Sequence, residues 1–214
     1  MSADNSRNGL PAILRTCAAA LLILATGCRS AHRPSGHAVK DDALRLELLR
    51  MEASDQAARR DLVKKGPPDA AQLEGLLEID RRHSARMKEL VSTRGWPGRS
   101  LVGEDGAHAA WLLIQHADFD RAFQERCLSL MEEELPRGEV SGADVAYLKD
   151  RVLVAEKKRQ LYGTQFIQAQ GRLEPYPIED EPNLDKRRAD VGLEPMSEYV
   201  KRLRAVWQAD RAEA

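Results

Sequence analysis

The stretch Asp42–Lys65, DALRLELLRMEASDQAARRDLVKK, decides the fold class. Leu44, Leu48, Met51, Ala58 and Leu62 recur three and four residues apart, the period of an amphipathic helix and not of a strand. Asp55 falls on the same stripe, so a carboxylate is turned toward a core. An unpaired buried carboxylate costs several kcal/mol, and Arg59, one turn later, is placed to offset its charge.

The pattern repeats downstream. A second helix over about 69–93 carries Leu73, Leu76, Leu77, Met87, Leu90 and Val91 inward, with Asp80 on the stripe and His83 and Ser84 sharing its face. A third, predicted over 107–135, turns Ala109, Leu112, Leu113, Phe119, Phe123, Cys127 and Leu130 inward, with His116 among them. Polar groups on the inward faces of three helices predict a polar layer where the helices meet. The intervening RGWPGRSLVGEDG (94–106) reads as an ordered loop or lid, with Trp96 plugging the bundle end in preference to covering a ligand. Ser141 and Asp144 resemble a capping box that opens a fourth helix. Its stripe is Val145, Leu148, Val152 and Ala155, with Asp150 facing outward and Arg151 at the border.

After Lys158 the period changes to two. QLYGTQF (160–166), a turn at AQG and RLEPYPI (172–178) read as a hairpin, with Pro175 and Pro177 marking an edge strand. Gly163 allows the bundle or a ligand to approach closely; either Gln165 or the Tyr162–Thr164 face turns toward the helices. Gly192 suits a helix C-cap, Pro195 the first turn of the next helix, and Met196, Tyr199, Val200, Leu203 and Val206 its stripe. Arg187 and Arg188 are adjacent and cannot share a face. The expected architecture is mainly α (α+β): a bundle of about five helices with a small hairpin at about 160–178 packed on it, one domain over residues 42–212.

Upstream, Arg7 and Arg15 precede TCAAALLILATGC (16–28), an apolar run too short to span a bilayer and suited to a signal-peptide core. Ala25–Thr26–Gly27–Cys28 resembles a lipobox. The expectation is a lipoprotein signal peptide over 1–27, lipid on Cys28 and a flexible tether over 28–41; the competing readings are an ordinary secretory signal or an uncleaved anchor. His32 and His37 in that tether make a poor metal site. With Cys17 removed and Cys28 acylated, Cys127 has no partner for a disulfide and reads as a small core residue. The net charge of −1, with signs interspersed, argues against a nucleic-acid partner.

Six ordered motifs carry a resemblance: DQAAR (55–59), GWP (95–97), QHAD (115–118), YLKDR (147–151), YGTQF (162–166) and RRADVGL (187–193). Together they resemble the bacterial domain family of unknown function DUF6624, over about residues 43–203. The chain departs from that pattern at His83, where the family has Asn, and in AEKKRQ (155–160), where the family has a Gly before the Gln. The resemblance implies a shared fold and a shared polar site, and supplies no reaction.

Three functions follow from these readings. The leading one is a non-catalytic cell-envelope lipoprotein, membrane-attached through Cys28 and outer-membrane where one exists, whose domain binds a polar ligand, glycan or protein partner. Its candidate contacts are Gln115, Tyr162, Thr164, Gln165 and Arg188. The alternative is a hydrolase on an envelope polymer or polar metabolite, with His116 as general base and Asp55 or Asp80 orienting it. HExxH, GxSxG, Walker and paired-Cys motifs are absent. A metal version built on His116, Asp118 and Asp120 is weaker, because 118 leaves the face shared by 116 and 120. No metal or cofactor is expected. The third reading is a structural scaffold, in which the polar layer only specifies the fold.

Overall fold

The computed structural model describes residues 39–64, 68–169 and 172–212. The expected signal peptide and tether, with Cys28, His32 and His37, fall mostly or wholly outside the described residues, as do Gln170 and Gly171 of the hairpin turn. The chain is mainly α with a small antiparallel hairpin. In order run α1 (Asp42–Lys64), α2 (Ala70–Arg94), α3 (Arg99–Gln115), α4 (Arg121–Glu134), a 3-10 turn (Leu135–Arg137) and α5 (Gly142–Ala155). Then follow β1 (Phe166–Ala169), β2 (Arg172–Pro175), a second 3-10 turn (Glu181–Asn183), α6 (Leu184–Asp190) and α7 (Met196–Ala212). The α1, α2 and α5 boundaries follow the sequence reading closely. At the start of α2, Asp69 accepts from the Gln72 backbone and Gln72 returns the bond, a closed capping box.

The expected third helix is two helices. The apolar period runs unbroken through His116 and Phe119, but at Asp120 the side chain accepts from Phe123 N (3.2 Å) and starts α4 as an N-cap. Phe119 is consequently exposed and does not face the core. The segment expected to be a loop over 94–106 is helical from Arg99 onward, in two pieces that meet at a kink where Gly103 takes φ +76°. Seven α-helices result among the described residues, where about five were expected.

The principal core lies between α1 to α5. It is built on Leu48, Met87, Val102, Ile114, Cys127, Met131 and Leu148, with Trp96 buried as its plug. Cys127 is wholly buried, and burial pushes its thiol pKa up to about 12. A smaller core of Phe166, Leu173, Tyr199 and Leu203 fixes the hairpin on α7. The two cores are joined by edge-to-face aromatic pairs, Trp111–Tyr147 (5.8 Å), Tyr147–Tyr199 (6.2 Å) and Tyr199–Phe166 (5.6 Å).

The hairpin is shorter than its alternating sequence predicts. Phe166 faces Pro175 and Ala169 faces Arg172, while residues 160–165 leave the strand and fold around Asp150. Asp150 corrects the sequence reading: it points inward, fully buried, and not to solvent. Its carboxylate accepts from Leu161 N (2.7 Å), Tyr162 N (3.1 Å), Thr164 N (2.9 Å) and Thr164 Oγ1 (3.0 Å). Gly163, at φ +67°, lets that segment turn; a Cβ there would stand 3.0 Å from Met196 Sδ and 3.1 Å from Ile178 Cδ1. What approaches Gly163 is therefore protein.

Candidate functional site: a buried polar layer

Helix α1 places Asp55 and Arg59 one turn apart on its inner face. Helix α2 brings Asp80, His83 and Ser84 opposite them, and His116 caps the C-terminus of α3. All six are nearly or wholly withdrawn from water. Asp55, Asp80 and His116, singled out from sequence on three separate helices, are thus brought into one layer.

His116 Nδ1 lies 2.9 and 3.0 Å from the two oxygens of Asp55. Asp55 also accepts from Gln56 Nε2 (2.9 Å) and sits 3.4 Å from Arg59 Nη2. Arg59 makes its shorter bond across the helix pair, from Nη2 to Asp80 Oδ1 at 2.8 Å. The partner expected for Asp55 alone is therefore shared by both carboxylates.

Burial pushes the His116 pKa down to about 4, helped by the nearby Arg59 charge and only partly opposed by Asp55. At neutral pH the ring is uncharged, its Nδ1–H donates to Asp55, and Nε2 keeps its lone pair. Burial works against the Asp55 carboxylate, but the His116 bond and the Arg59 charge hold its pKa below the ordinary value. For Asp80, burial wins: its pKa rises to about 6 despite the Arg59 guanidinium. Burial also lowers the His83 pKa, so this ring too is neutral at pH 7.

The layer continues toward the hairpin. Asp118, in the turn between α3 and α4, takes a two-pronged bond from Arg151 of α5, Nε to Oδ1 at 2.7 Å and Nη2 to Oδ2 at 2.5 Å. Burial opposes the Asp118 charge, and Arg151 more than restores it. Arg151 Nη1 reaches Gln165 Oε1 at 3.4 Å, and Gln165 Nε2 donates to Thr164 Oγ1 at 3.0 Å. Gln165 is therefore connected to the layer through Arg151, at its outer edge.

The remaining candidates frame the hairpin. Thr164 holds Asp150 and accepts at its carbonyl from the Tyr199 hydroxyl (3.1 Å). Tyr162 N donates to Asp150, and Tyr162 O accepts from Arg188 Nη1 at 2.5 Å. Arg188, fully buried with its guanidinium carbon 4.8 Å above the Tyr199 ring, also donates from Nε to Glu194 O (2.7 Å). Arg187 bonds to the carbonyls of Leu161, Glu179 and Asp180. Gln115, with its amide oriented to satisfy its neighbours, accepts from Trp111 Nε1 (3.1 Å) and Leu148 N (2.8 Å). These contacts place Gln115, Tyr162 and Arg188 outside the layer formed by Asp55, Arg59, Asp80 and His116.

Arg151 and the inward Asp150 complete the arrangement beyond the sequence-derived candidates, and Asp118, read from sequence only as a weak metal ligand, pairs with Arg151. Asp118 and Arg151 are 33 residues apart, so no local period reveals the pair. The available signal was their shared occurrence in the QHAD and YLKDR motifs. Asp120, considered with His116 and Asp118 for a metal, instead caps α4 and pairs with Lys88. Among the described residues no three His, Cys, Asp or Glu side chains converge as a metal-binding set.

Within the layer several buried polar atoms have no protein partner: Arg59 Nε and Nη1, His83 Nδ1, Ser84 Oγ and His116 Nε2. Elsewhere a cleft of about 410 Å3 opens between Pro175–Ile178, Glu181–Asp185 and Met196; none of the layer's residues lines it.

No curated protein and no solved structure matches the chain. The sequence model of DUF6624, a family of unknown function, matches residues 42–210, and the chain belongs to that family.

Proposed function

We propose that the domain is a non-catalytic binding module for a polar ligand, with the buried layer as its recognition site, carried on a lipid-anchored envelope protein. The observation supporting it is the set of buried, unpartnered polar atoms on Arg59, His83, Ser84 and His116. A layer serving only to specify the fold closes its hydrogen bonds, because each buried orphan costs about 1–3 kcal/mol. Several on facing helices amount to donors and acceptors held ready. Screening polar metabolites and envelope glycans for thermal stabilisation tests this; a ligand at 100 times its Kd adds about 2.7 kcal/mol. His116→Asn removes Nε2 while an amide N–H can still donate to Asp55, so the stabilisation should be lost with the fold retained. A screen in which no compound stabilises the wild type, or in which His116→Asn responds equally, sinks the reading.

The hydrolase reading is favoured by one feature: Asp55 orients His116 with Nε2 free, as a carboxylate orients a general base. The His116 pKa of about 4 weighs against it, since an effective base has a pKa near its working pH. The envelope location rests on the apolar run and Cys28 in the sequence. Among the described residues no helix is long and apolar enough to cross a membrane. Metabolic palmitate labelling of the wild type, lost in Cys28→Ser, is the expected result; equal labelling removes the lipid anchor from the proposal.

A further inference from the structure

We infer that the cleft beside the hairpin is a second binding site and takes an aliphatic di- or polyamine, with the alkyl chain along its apolar wall and the ammonium groups on Glu181 and Asp185. It lies apart from the polar layer and does not depend on what that layer binds.

The cleft encloses about 410 Å3, within the range of small-molecule sites, which run to about 300–1,000 Å3. Ile178, Leu184 and Met196 give it an apolar wall, and Pro175, Pro177 and Pro182 stiffen its lining. What that lining offers a polar ligand is one-sided. The prolines have no N–H, Tyr176 N is committed to Gln165 O (3.1 Å), and the Tyr176 hydroxyl is the one side-chain donor among the lining residues. Against it stand two carboxylates. Glu181 opens the 3-10 turn that runs into α6, and Asp185 follows about one helical turn later, where its Oδ1 accepts from Met196 N (2.7 Å). Among the described residues neither carboxylate has an ion pair, and no Lys or Arg lines the cleft. Arg159 and Arg187, the guanidiniums bonded to this stretch, are spent on the carbonyls of Ile178, Glu179 and Asp180.

Two like charges a turn apart repel, and a donating cation relieves them. An ammonium has three N–H donors and no acceptor, and its alkyl stem is buried against the apolar wall. A phosphate or carboxylate would instead meet two charges of its own sign, and a polyol would set hydroxyls against apolar side chains. With two carboxylates present, a second ammonium finds its own partner, which selects a di- or polyamine over a monoamine. A polypeptide is the less suited carrier of the amine. An extended chain docking as an added strand needs open backbone groups. The carbonyls of Tyr176, Pro177 and Ile178 already accept from Gln160 Nε2 (2.8 Å), Gln160 N (2.9 Å) and Arg159 Nη1 (2.9 Å).

The test follows the Met196 methyl group by NMR in the whole protein while putrescine or spermidine is added. 1,4-Butanediol serves as the uncharged probe of equal stem, and Nα-acetyl-lysine methylamide as the polypeptide-like amine. Both amines should move the Met196 signal saturably, the diol should not, and Glu181→Gln or Asp185→Asn should each weaken spermidine binding about ten-fold. Glu181 is exposed, and Asp185→Asn keeps an oxygen for Met196 N, so the fold does not rest on either change. An equal response to the diol reduces the cleft to an apolar pocket and overturns the inference. A response to the lysine derivative without one to the diamines assigns the cleft to a polypeptide and overturns it as well. So does a Met196 signal that no amine moves, or spermidine binding unaltered in both variants.

Discussion

Asp150 has no exposure, and its two oxygens take four donors from residues 161–164, which makes it the organising residue of the approach to the hairpin. Asp150→Asn supplies one accepting oxygen and turns an N–H toward groups that are themselves donors. The expected loss is about 3 kcal/mol in urea unfolding, the cost of leaving buried donors unmatched. A loss under about 1 kcal/mol would mean that the segment finds other acceptors. Asp55, Asp80 and His116 were legible because each interrupts an otherwise apolar stripe. Asp150 was not, because Val145, Leu148 and Val152 define the face toward the principal core, while Asp150 serves a second, smaller surface that packs against residues 161–164. Helical period reports one buried face well and has no term for another.

At the scale of elements, the breaks in regular structure position the layer. Ending α3 at Gln115 turns His116 onto Asp55, and the following residues present Asp118 to Arg151. The apolar spacing continued across this break, so the sequence read as one helix; the Asp120 cap that opens the second is a single local hydrogen bond, which the spacing of apolar residues does not register. Because the Asp118–Arg151 bond is two-pronged and half withdrawn from water, Arg151→Ala should cost about 2–3 kcal/mol. Arg86→Ala, which breaks a two-pronged bond to Glu47 nearer the surface, should cost about 1 kcal/mol or less. Equal losses in parallel urea titrations would show that the turn is not held by Arg151. In the hairpin approach, Gly163→Ala combines a left-handed backbone with a Cβ pressed against Met196 and Ile178. A destabilisation of about 1–3 kcal/mol is expected, read as a lowered denaturant midpoint; an unchanged midpoint would show that the segment relaxes freely.

For the whole molecule the layer carries two opposed proton linkages. His116 titrates near 6.5 when unfolded and at about 4 when folded, so between these values the unfolded chain binds the extra proton. Its contribution is therefore present above pH 6.5 and is lost as pH falls toward 4, about 3 kcal/mol in all. Asp80 titrates near 3.8 unfolded and about 6 folded, so there the folded chain binds the extra proton. It adds stability as pH falls through 6 toward 3.8, by about the same 3 kcal/mol. The two nearly cancel from pH 6 to 4. The lowered Asp55 and Asp118 carboxylates are lost only below that window. Asp80→Asn removes one side of the balance, and its stability relative to wild type should fall by about 1.4 kcal/mol for each pH unit of acidification between 6 and 4. His116→Asn should show the opposite slope, gaining on wild type over the same range. Titrating groups bonded to neither side chain, the surface histidine His108 included, are common to all three proteins and drop out of these differences. Unfolding curves displaced by a constant amount at every pH would mean that neither side chain changes its pKa on folding, and both linkages would fall together.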